Sequence, residues 1–135
     1  MSAPSSKRKQ IFGSRMKSRL QQGAGLIVID PRAIDLVKNP HIKADYHLPL
    51  LPGNNVAVIN ALAHVIVEEG LEDTDYVAAR CEDQAYDAWR KFIRDPKNAP
   101  EYIESFCGVA AQDLRAAARL YATGGKEGGN GKAAI

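Results

Sequence analysis

The chain has 135 residues, of which 45% are hydrophobic and 25% are charged, and its net charge at pH 7 is +2. These values fit one ordinary globular domain that can bury a core, and no apolar run reaches transmembrane length. Residues 1–29 contain six basic residues and no acidic one, which leaves a net charge of −4 for the remainder. A basic end of this kind is more often a solvated tail than a nucleic-acid contact, so we expect no nucleic-acid partner and no membrane insertion.

The first part of the chain predicts a helix followed by a buried strand. Residues 1–10 are polar and basic and contain a proline, which favours a disordered basic leader. The spacing of apolar residues over residues 11–22 predicts an amphipathic helix with Gly23 as its C-cap. Residues 26–29 are apolar without alternation, which predicts a strand buried on both faces.

The rest of the chain predicts one more strand and a helix-rich second half. Residues 46–51 form the second strand, and Pro49 within it indicates a short or edge strand. A helix over residues 53–70 carries apolar residues on more than one face, so we expect it to pack inside a larger body. Further helices are predicted over residues 73–80, 84–94, 100–108 and 112–123. Residues 124–135 form a flexible glycine-rich tail that ends in three apolar residues, like the first residues of a third strand.

Together these elements predict the α/β class, with a partial Rossmann-like parallel sheet of about two strands plus a third begun at the C-terminus, and five to seven helices. The domain organisation is one α/β body over residues 11–123, between the leader of residues 1–10 and the tail of residues 124–135. Two strands are too few for a stable parallel sheet with so many helices. The chain therefore either pairs with other chains or is a piece of a larger protein, and we favour the piece.

Each predicted strand ends in a polar turn, and open α/β sheets bind ligands beyond the carboxyl ends of their strands. We call each of these polar turns an elbow. The first elbow consists of Asp30, Pro31 and Arg32. There, a carboxylate can accept from two donors on a base or a ribose, and an arginine can bind phosphate. The alternative is a surface turn with a local ion pair.

The second elbow consists of Gly53, Asn54 and Asn55, which open the long helix. Backbone N–H groups at a helix start suit anions, and an asparagine amide offers both a donor and an acceptor to a base edge. The alternative is plain N-capping by Asn54 or Asn55. Neither a dinucleotide fingerprint nor a P-loop is present.

No other residues predict an active site. Cys81 and Cys107 form no metal-binding motif, and without a signal peptide they indicate free, buried thiols in a reducing compartment, which favours a cytoplasmic protein. His64 is expected to be a satisfied core residue, because the histidines lack metal-ligand spacing. A row of aromatic side chains is expected in the core rather than as a stacking platform: Tyr86, Trp89 and Phe92. No catalytic residue and no metal ligand is assigned.

Three segments in a fixed order carry a family resemblance: GAGLIVIDPRAIDL, then ADYHLPLLPGNNVAVINALAHVIVEEGLEDTDYVAAR, then GVAAQDLRAAARLYATGG. In this order they resemble an internal stretch of the catalytic (alpha) subunit of molybdopterin-dependent formate dehydrogenases. That subunit belongs to the dimethyl sulfoxide reductase group of molybdopterin oxidoreductases. The resemblance covers roughly residues 11–135, nearly the whole chain.

The resemblance implies a parent enzyme that oxidises formate to carbon dioxide with transfer of two electrons. Its cofactors would be molybdopterin guanine dinucleotide carrying molybdenum or tungsten and an iron–sulfur cluster, the latter not bound by this segment. By motif match, Asp30, Pro31 and Arg32 would contact the guanosine end of one dinucleotide, and Gly53, Asn54 and Asn55 would form the second contact. Many members of the family have an acid where this chain has Asn55; an amide there can still accept from a guanine edge but lacks the charge.

The resemblance also implies that other parts of the enzyme lie outside this chain. The cysteine cluster motif, the metal-ligating residue and the C-terminal cofactor domain of the family are absent, so the 135-residue chain is not expected to be active by itself. Its partners would be the remaining domains of the parent subunit, with electron-transfer subunits as further partners. The parent would be cytoplasmic or, alternatively, periplasmic.

Two other functions are alternatives to this one. A stand-alone small nucleotide-binding module would use the same elbows without catalysis and would bind a guanine nucleotide in isolation. A nucleic-acid adaptor would use the basic residues 7–19, and its affinity would fall steeply with salt. The adaptor ranks last, because the globular body is acidic.

Overall fold

A computed structural model describes residues 5–38 and 43–124. Within these residues the chain forms seven α-helices, one 3₁₀ turn and two β-strands. In chain order the elements are α1 (Ser5–Gln21), β1 (Ile27–Ile29), α2 (Asp35–Lys38), β2 (Tyr46–Leu48), α3 (Asn55–Glu68), α4 (Thr74–Arg80), α5 (Asp83–Ile93), the 3₁₀ turn (Pro96–Asn98), α6 (Pro100–Cys107) and α7 (Ala111–Ala122). The predicted class is confirmed, with a partial parallel sheet and a helix-rich second half. The predicted third strand, in the last residues of the chain, lies outside the described residues.

The two strands pair in parallel, with Ile27 opposite Tyr46 and Ile29 opposite Leu48. Both are shorter than predicted. The N–H of Leu26 donates to the Asp45 carboxylate at 2.8 Å instead of to a strand partner, and Pro49 has no N–H to continue the ladder. A sheet this small needs other elements to bury its faces.

The prediction that both faces of the first strand are buried is wrong for one face. Val28 is buried, but Ile29 is 37% exposed. Side chains alternate along a strand, so Ile27 and Ile29 share the face opposite Val28, and that face is only partly covered.

The core lies where α3 packs against α6 and α7, next to β2. Its apolar members are Leu48, Leu50, Val58, Ala61, Ile103, Cys107, Val109, Leu114 and Ala117. His64 on α3 is also buried, and its Nδ1 lies 2.7 Å from the carbonyl oxygen of Ile93. The prediction of a satisfied core histidine is therefore confirmed.

Several helix ends follow the local signals in the sequence. The Asp73 carboxylate accepts from the N–H of Tyr76 at 2.9 Å and caps α4. Pro100 opens α6, and Gly108 ends it with a φ of 81°. In contrast, α1 begins at Ser5, so it includes residues 5–10, which were expected in the disordered leader. The lysines, arginine and glutamine in that stretch are good helix formers, which explains the earlier start.

Two burial predictions are wrong. Trp89 and Phe92 are exposed, because α5 turns Ile93 towards the core and leaves much of its aromatic row on the surface. Tyr86 is half-buried, and its ring centroid lies 5.7 Å from that of Trp89. Cys107 is buried as expected, but Cys81 is exposed, since it follows α4, a short helix with no buried residue.

No helix in the described ranges is long and apolar enough to cross a membrane. Residues 5–38 and 43–124 also contain no group of three His, Cys, Asp or Glu side chains that could hold a metal ion.

Candidate cofactor-binding edge

The two elbows follow strands that end at the same edge of the sheet. Because Ile29 lies opposite Leu48 in a parallel pair, Asp30 leaves the sheet at the same level as Pro49. His47 of β2 joins the two strand ends, since its Nε2 lies 2.8 Å from the backbone carbonyl oxygen of Asp30. A carbonyl can only accept, so this nitrogen carries the proton and donates.

The first elbow is a compact turn in which one carboxylate collects three hydrogen bonds. The Oδ1 atom of Asp30 accepts from the N–H of Arg32 at 2.8 Å and from its Nε at 3.2 Å. The Oδ2 atom accepts from Nη2 of Arg32 at 3.4 Å. This is an Asx-type turn, which Pro31 favours because it cannot extend the strand. The local ion pair of the surface-turn interpretation is thus present.

Both charges of this turn are stabilised. The hydrogen bonds from the side chain and the backbone N–H of Arg32 hold the pKa of Asp30 below its ordinary value. In return, the hydrogen bond to Asp30 raises the pKa of Arg32. The Asp30 side chain is 25% exposed and that of Arg32 is 80% exposed. The elbow therefore offers an ionised carboxylate that accepts only and a guanidinium that extends into solvent.

The second elbow turns at Gly53, whose φ is 91°. A Cβ at Gly53 would meet no atom within 4 Å, so the glycine is needed for its backbone conformation and the space beside it is open. Asn55 is the first residue of α3 and is exposed.

Asn54 occupies the N-cap position of α3, but its side chain makes no capping hydrogen bond. Its amide nitrogen instead donates to the carbonyls of Leu51 at 3.2 Å and Phe106 at 3.4 Å. The interpretation of Asn54 as a plain N-cap is therefore wrong. The first N–H groups of α3 have no side-chain acceptor from the cap residue, which suits them to an acceptor atom of a ligand.

Comparison with known proteins finds stretches similar to this chain within several larger enzymes. No family model matches the sequence. Over 112 residues, or 83% of the chain, it is 41% identical to formate dehydrogenase H of Escherichia coli K12. It is 34% identical, over 82% of its length, to the F420-dependent formate dehydrogenase subunit alpha of Methanocaldococcus jannaschii. It is also 34% identical, over 87% of its length, to a nitrate reductase of Symbiobacterium thermophilum.

Comparison of the fold with solved structures agrees with the sequence comparisons. Acetylene hydratase from Pelobacter acetylenicus superposes with a TM-score of 0.71 over 80% of the chain, at 28% identity. This chain corresponds to a segment of the formate dehydrogenase alpha subunits and related molybdopterin oxidoreductases. It spans 14% of the length of the Escherichia coli protein and 14% of the length of acetylene hydratase.

Two contributions to this edge are not evident from the sequence. His47 has no metal-ligand spacing to the other histidines and so gave no signal of that kind, yet it holds the backbone of Asp30. The carbonyl of Phe106 fixes Asn54 from 52 residues away. The signal for His47 was the strand register, since a residue just before the end of one parallel strand lies beside the end of its neighbour.

Two shallow surface depressions lie away from both elbows. One is lined by Asp87, Arg90, Lys91 and Arg94 on α5. The other lies between α4 and α5 and includes Glu72 and Tyr86.

Proposed function

We propose that this chain is a cofactor-binding segment of a formate dehydrogenase-type molybdoenzyme. The parent enzyme oxidises formate to carbon dioxide and releases two electrons and a proton. This segment holds the guanosine end of a molybdopterin guanine dinucleotide and supplies no catalytic residue. The bound cofactor, with molybdenum or tungsten, supplies the redox chemistry. The homology to formate dehydrogenases supports the parent class.

The observation that carries the proposal is the pair of elbows at one edge of a parallel sheet. Ligands of open α/β sheets bind beyond the carboxyl ends of the strands, which is where Asp30 and the Gly53 turn follow β1 and β2. His47 fixes the first elbow against the second strand, so the edge is held in place before any ligand arrives.

The first elbow fits a guanosine. The Asp30 carboxylate is ionised and fixed by Arg32. Its Oδ1 atom already accepts two hydrogen bonds, whereas Oδ2 accepts one and keeps room for a further donor. Guanine and ribose both present donors that this oxygen can accept in a charge-assisted hydrogen bond. The Arg32 guanidinium is largely exposed and can bind the diphosphate, since its fork matches phosphate oxygens.

The second elbow fits the same ligand from the other strand. Gly53 leaves open space beside the turn, and the start of α3 has N–H groups without a capping side chain. Asn55 is exposed there and offers both a donor and an acceptor to a base edge. Because Asn55 is neutral, we expect it to contribute hydrogen bonds but no charge selectivity.

The other components belong to the rest of the parent. An iron–sulfur cluster, the metal ligands and the other cofactor-binding domain would lie on the remaining domains of the catalytic subunit. Electron-transfer subunits would be further partners. The parent would work in the cytoplasm or, alternatively, in the periplasm.

The test uses the parent polypeptide purified with its cofactor. We expect Asp30→Ala and Asn55→Ala each to lower the amount of pterin dinucleotide that is extracted per protein. Loss of one charge-assisted hydrogen bond costs about 1.5–3 kcal/mol, so the Asp30 variant should bind roughly tenfold or more weakly. Asn55→Ala should lose less, since a neutral hydrogen bond contributes about 0.5–1.5 kcal/mol.

Gln112→Ala is the matched control for Asn55→Ala. Gln112 is also an exposed amide in the first turn of a helix, but it lies on α7. We expect it to leave the dinucleotide content unchanged. Wild-type dinucleotide content in both elbow variants would contradict the proposal. Tight binding of guanosine monophosphate by the isolated chain would instead favour a stand-alone nucleotide-binding module.

A further inference from the structure

Several large apolar side chains around the second elbow are uncovered. Val56 and Ile59, in the first turns of α3, are 72% and 46% exposed. We call these two residues, with three exposed neighbours, the uncovered apolar surface; the neighbours are Leu51, Tyr102 and Phe106. Scattered single apolar residues are common on surfaces, but a group of them marks an interaction site.

These side chains lie on adjoining pieces of chain. Asn54 links the loop to α6, because its amide donates to the carbonyls of both Leu51 and Phe106. The rings of Tyr102 and Phe106 meet edge to face, with centroids 5.9 Å apart. Helix α3 packs directly on α6.

The composition of α3 is typical of a helix that is buried on most sides. The helix has no Lys, Arg, Asp or Glu before Glu68, its last residue. One side of it already packs in the core through Val58, Ala61 and Val65. Val56 and Ile59 extend the apolar surface beyond that side, and a helix that is apolar nearly all round is a buried helix.

The length of the relatives indicates what covers it. The same fold in acetylene hydratase is 14% of its chain, and the Escherichia coli relative is matched over 14% of its length. In such proteins most of the polypeptide lies outside this segment. An uncharged apolar surface of that polypeptide can cover α3 without leaving a buried charge unpaired.

We propose that the uncovered apolar surface is an internal interface, covered in the parent by an apolar surface of the remaining polypeptide. This inference rests on the proposed function in one respect, namely that the segment belongs to a longer enzyme. It adds the location of the contact, beside the second elbow and away from the charged C-terminal end of α3.

The test compares thiol labelling in the parent and in the isolated chain. Ile59→Cys is introduced in a Cys81→Ser background, and its reaction with a maleimide is followed by peptide-resolved mass spectrometry. Ala88→Cys is the control, since Ala88 is an exposed helical position on α5. We expect Cys at position 59 to react at least about tenfold more slowly in the parent than in the isolated chain, because labelling then requires local opening. The control should react rapidly in both.

Fast labelling of position 59 in the parent would overturn the inference. Slow labelling in the isolated chain that becomes faster on dilution would also overturn it, because a second copy would then be the occupant. The inference would also be overturned if the surrounding reading frame encoded no longer polypeptide. The dinucleotide content of the elbow variants is measured separately, so cofactor binding and the interface can fail independently.

Discussion

His47 is the residue through which the second strand controls the first elbow. Its Nε2 donates to the Asp30 carbonyl across the pair of strands, in a partly buried position. We expect His47→Leu to remove the donor, so that the Asp30 carbonyl loses this hydrogen bond. Loss of such a hydrogen bond should lower the free energy of unfolding of the isolated chain by about 1 kcal/mol, measured by urea denaturation.

His47→Gln separates the hydrogen bond from the ring. The amide nitrogen of glutamine can reach a position similar to that of Nε2 and can donate in the same way. We therefore expect the Gln variant to recover most of the loss seen with Leu. Equal losses in both variants would mean that the imidazole acts through packing and not through the Asp30 carbonyl.

At the scale of single residues, the sequence predicted the contacts of this edge that join residues close together in the chain. Asp30 and Arg32 are two residues apart around a proline, so their turn and ion pair depend only on neighbouring residues. His47 and the Phe106 carbonyl are 17 and 52 residues away from the groups they hold. Such contacts arise from strand register and helix packing, which the order of residue types does not specify by itself.

Among the elements, the link between α6 and α7 supports the second elbow. Gly108 ends α6 with a φ of 81°, and a Cβ there would lie 3.1 Å from Cγ of Leu51. We expect Gly108→Ala to destabilise the isolated chain by about 1–2 kcal/mol for the left-handed backbone alone, with a further loss from the contact. Urea denaturation measures both contributions together.

Gly70→Ala is the matched comparison for this prediction. Gly70 has a φ of 64°, but a Cβ there would meet no atom within 4 Å. Gly70→Ala should therefore measure the free-energy cost of the left-handed backbone alone, without the close contact that a Cβ at position 108 makes with Leu51. A loss as large as that of Gly108→Ala would show that Leu51 moves aside freely and that α6 does not hold the elbow.

Elements with local stop signals were predicted closely, and those that depend on neighbours were not. Proline at the start and glycine at the end bounded α6, and Asp73 capped α4. The strands were predicted too long, because the apolar runs in the sequence extend beyond the paired residues, before Ile27 in the first strand and after Leu48 in the second. The aromatic row of α5 was expected in the core from its spacing alone, but Trp89 and Phe92 lie on the surface.

In the molecule as a whole, an ion-pair network lies at the C-terminal end of α3, which is remote from the elbows. Arg115 donates to the Glu101 carboxylate at 2.8 and 3.1 Å and to Glu68 at 3.1 Å. Arg119 donates to both oxygens of Glu69 at 2.8 and 2.7 Å. The network ties α3 to α6 and α7, the three helices that form the core.

The network predicts how the stability of the whole fold depends on pH. Hydrogen bonds from Arg119 and Arg115 hold the pKa values of Glu69 and Glu101 below their ordinary value of 4.5. Each carboxylate therefore stabilises the fold above pH 4.5, and this contribution is lost as the pH falls through the lowered pKa in the folded state. Since these side chains are partly exposed, we expect about 0.2–1 kcal/mol from each pair and less at high salt.

Arg119→Gln and Arg115→Gln test this directly. Each variant should be less stable than the wild-type chain at neutral pH, and the difference should shrink as the pH falls below 4.5 and vanish once the carboxylates are protonated in the wild-type fold as well. Arg80→Gln, at the end of α4, is the control, because Arg80 makes no ion pair with the described residues. It should show the same acid dependence as the wild-type chain, measured by urea denaturation across the pH range. A constant difference between each network variant and the wild-type chain down to low pH would mean that the arginines act through their aliphatic contacts.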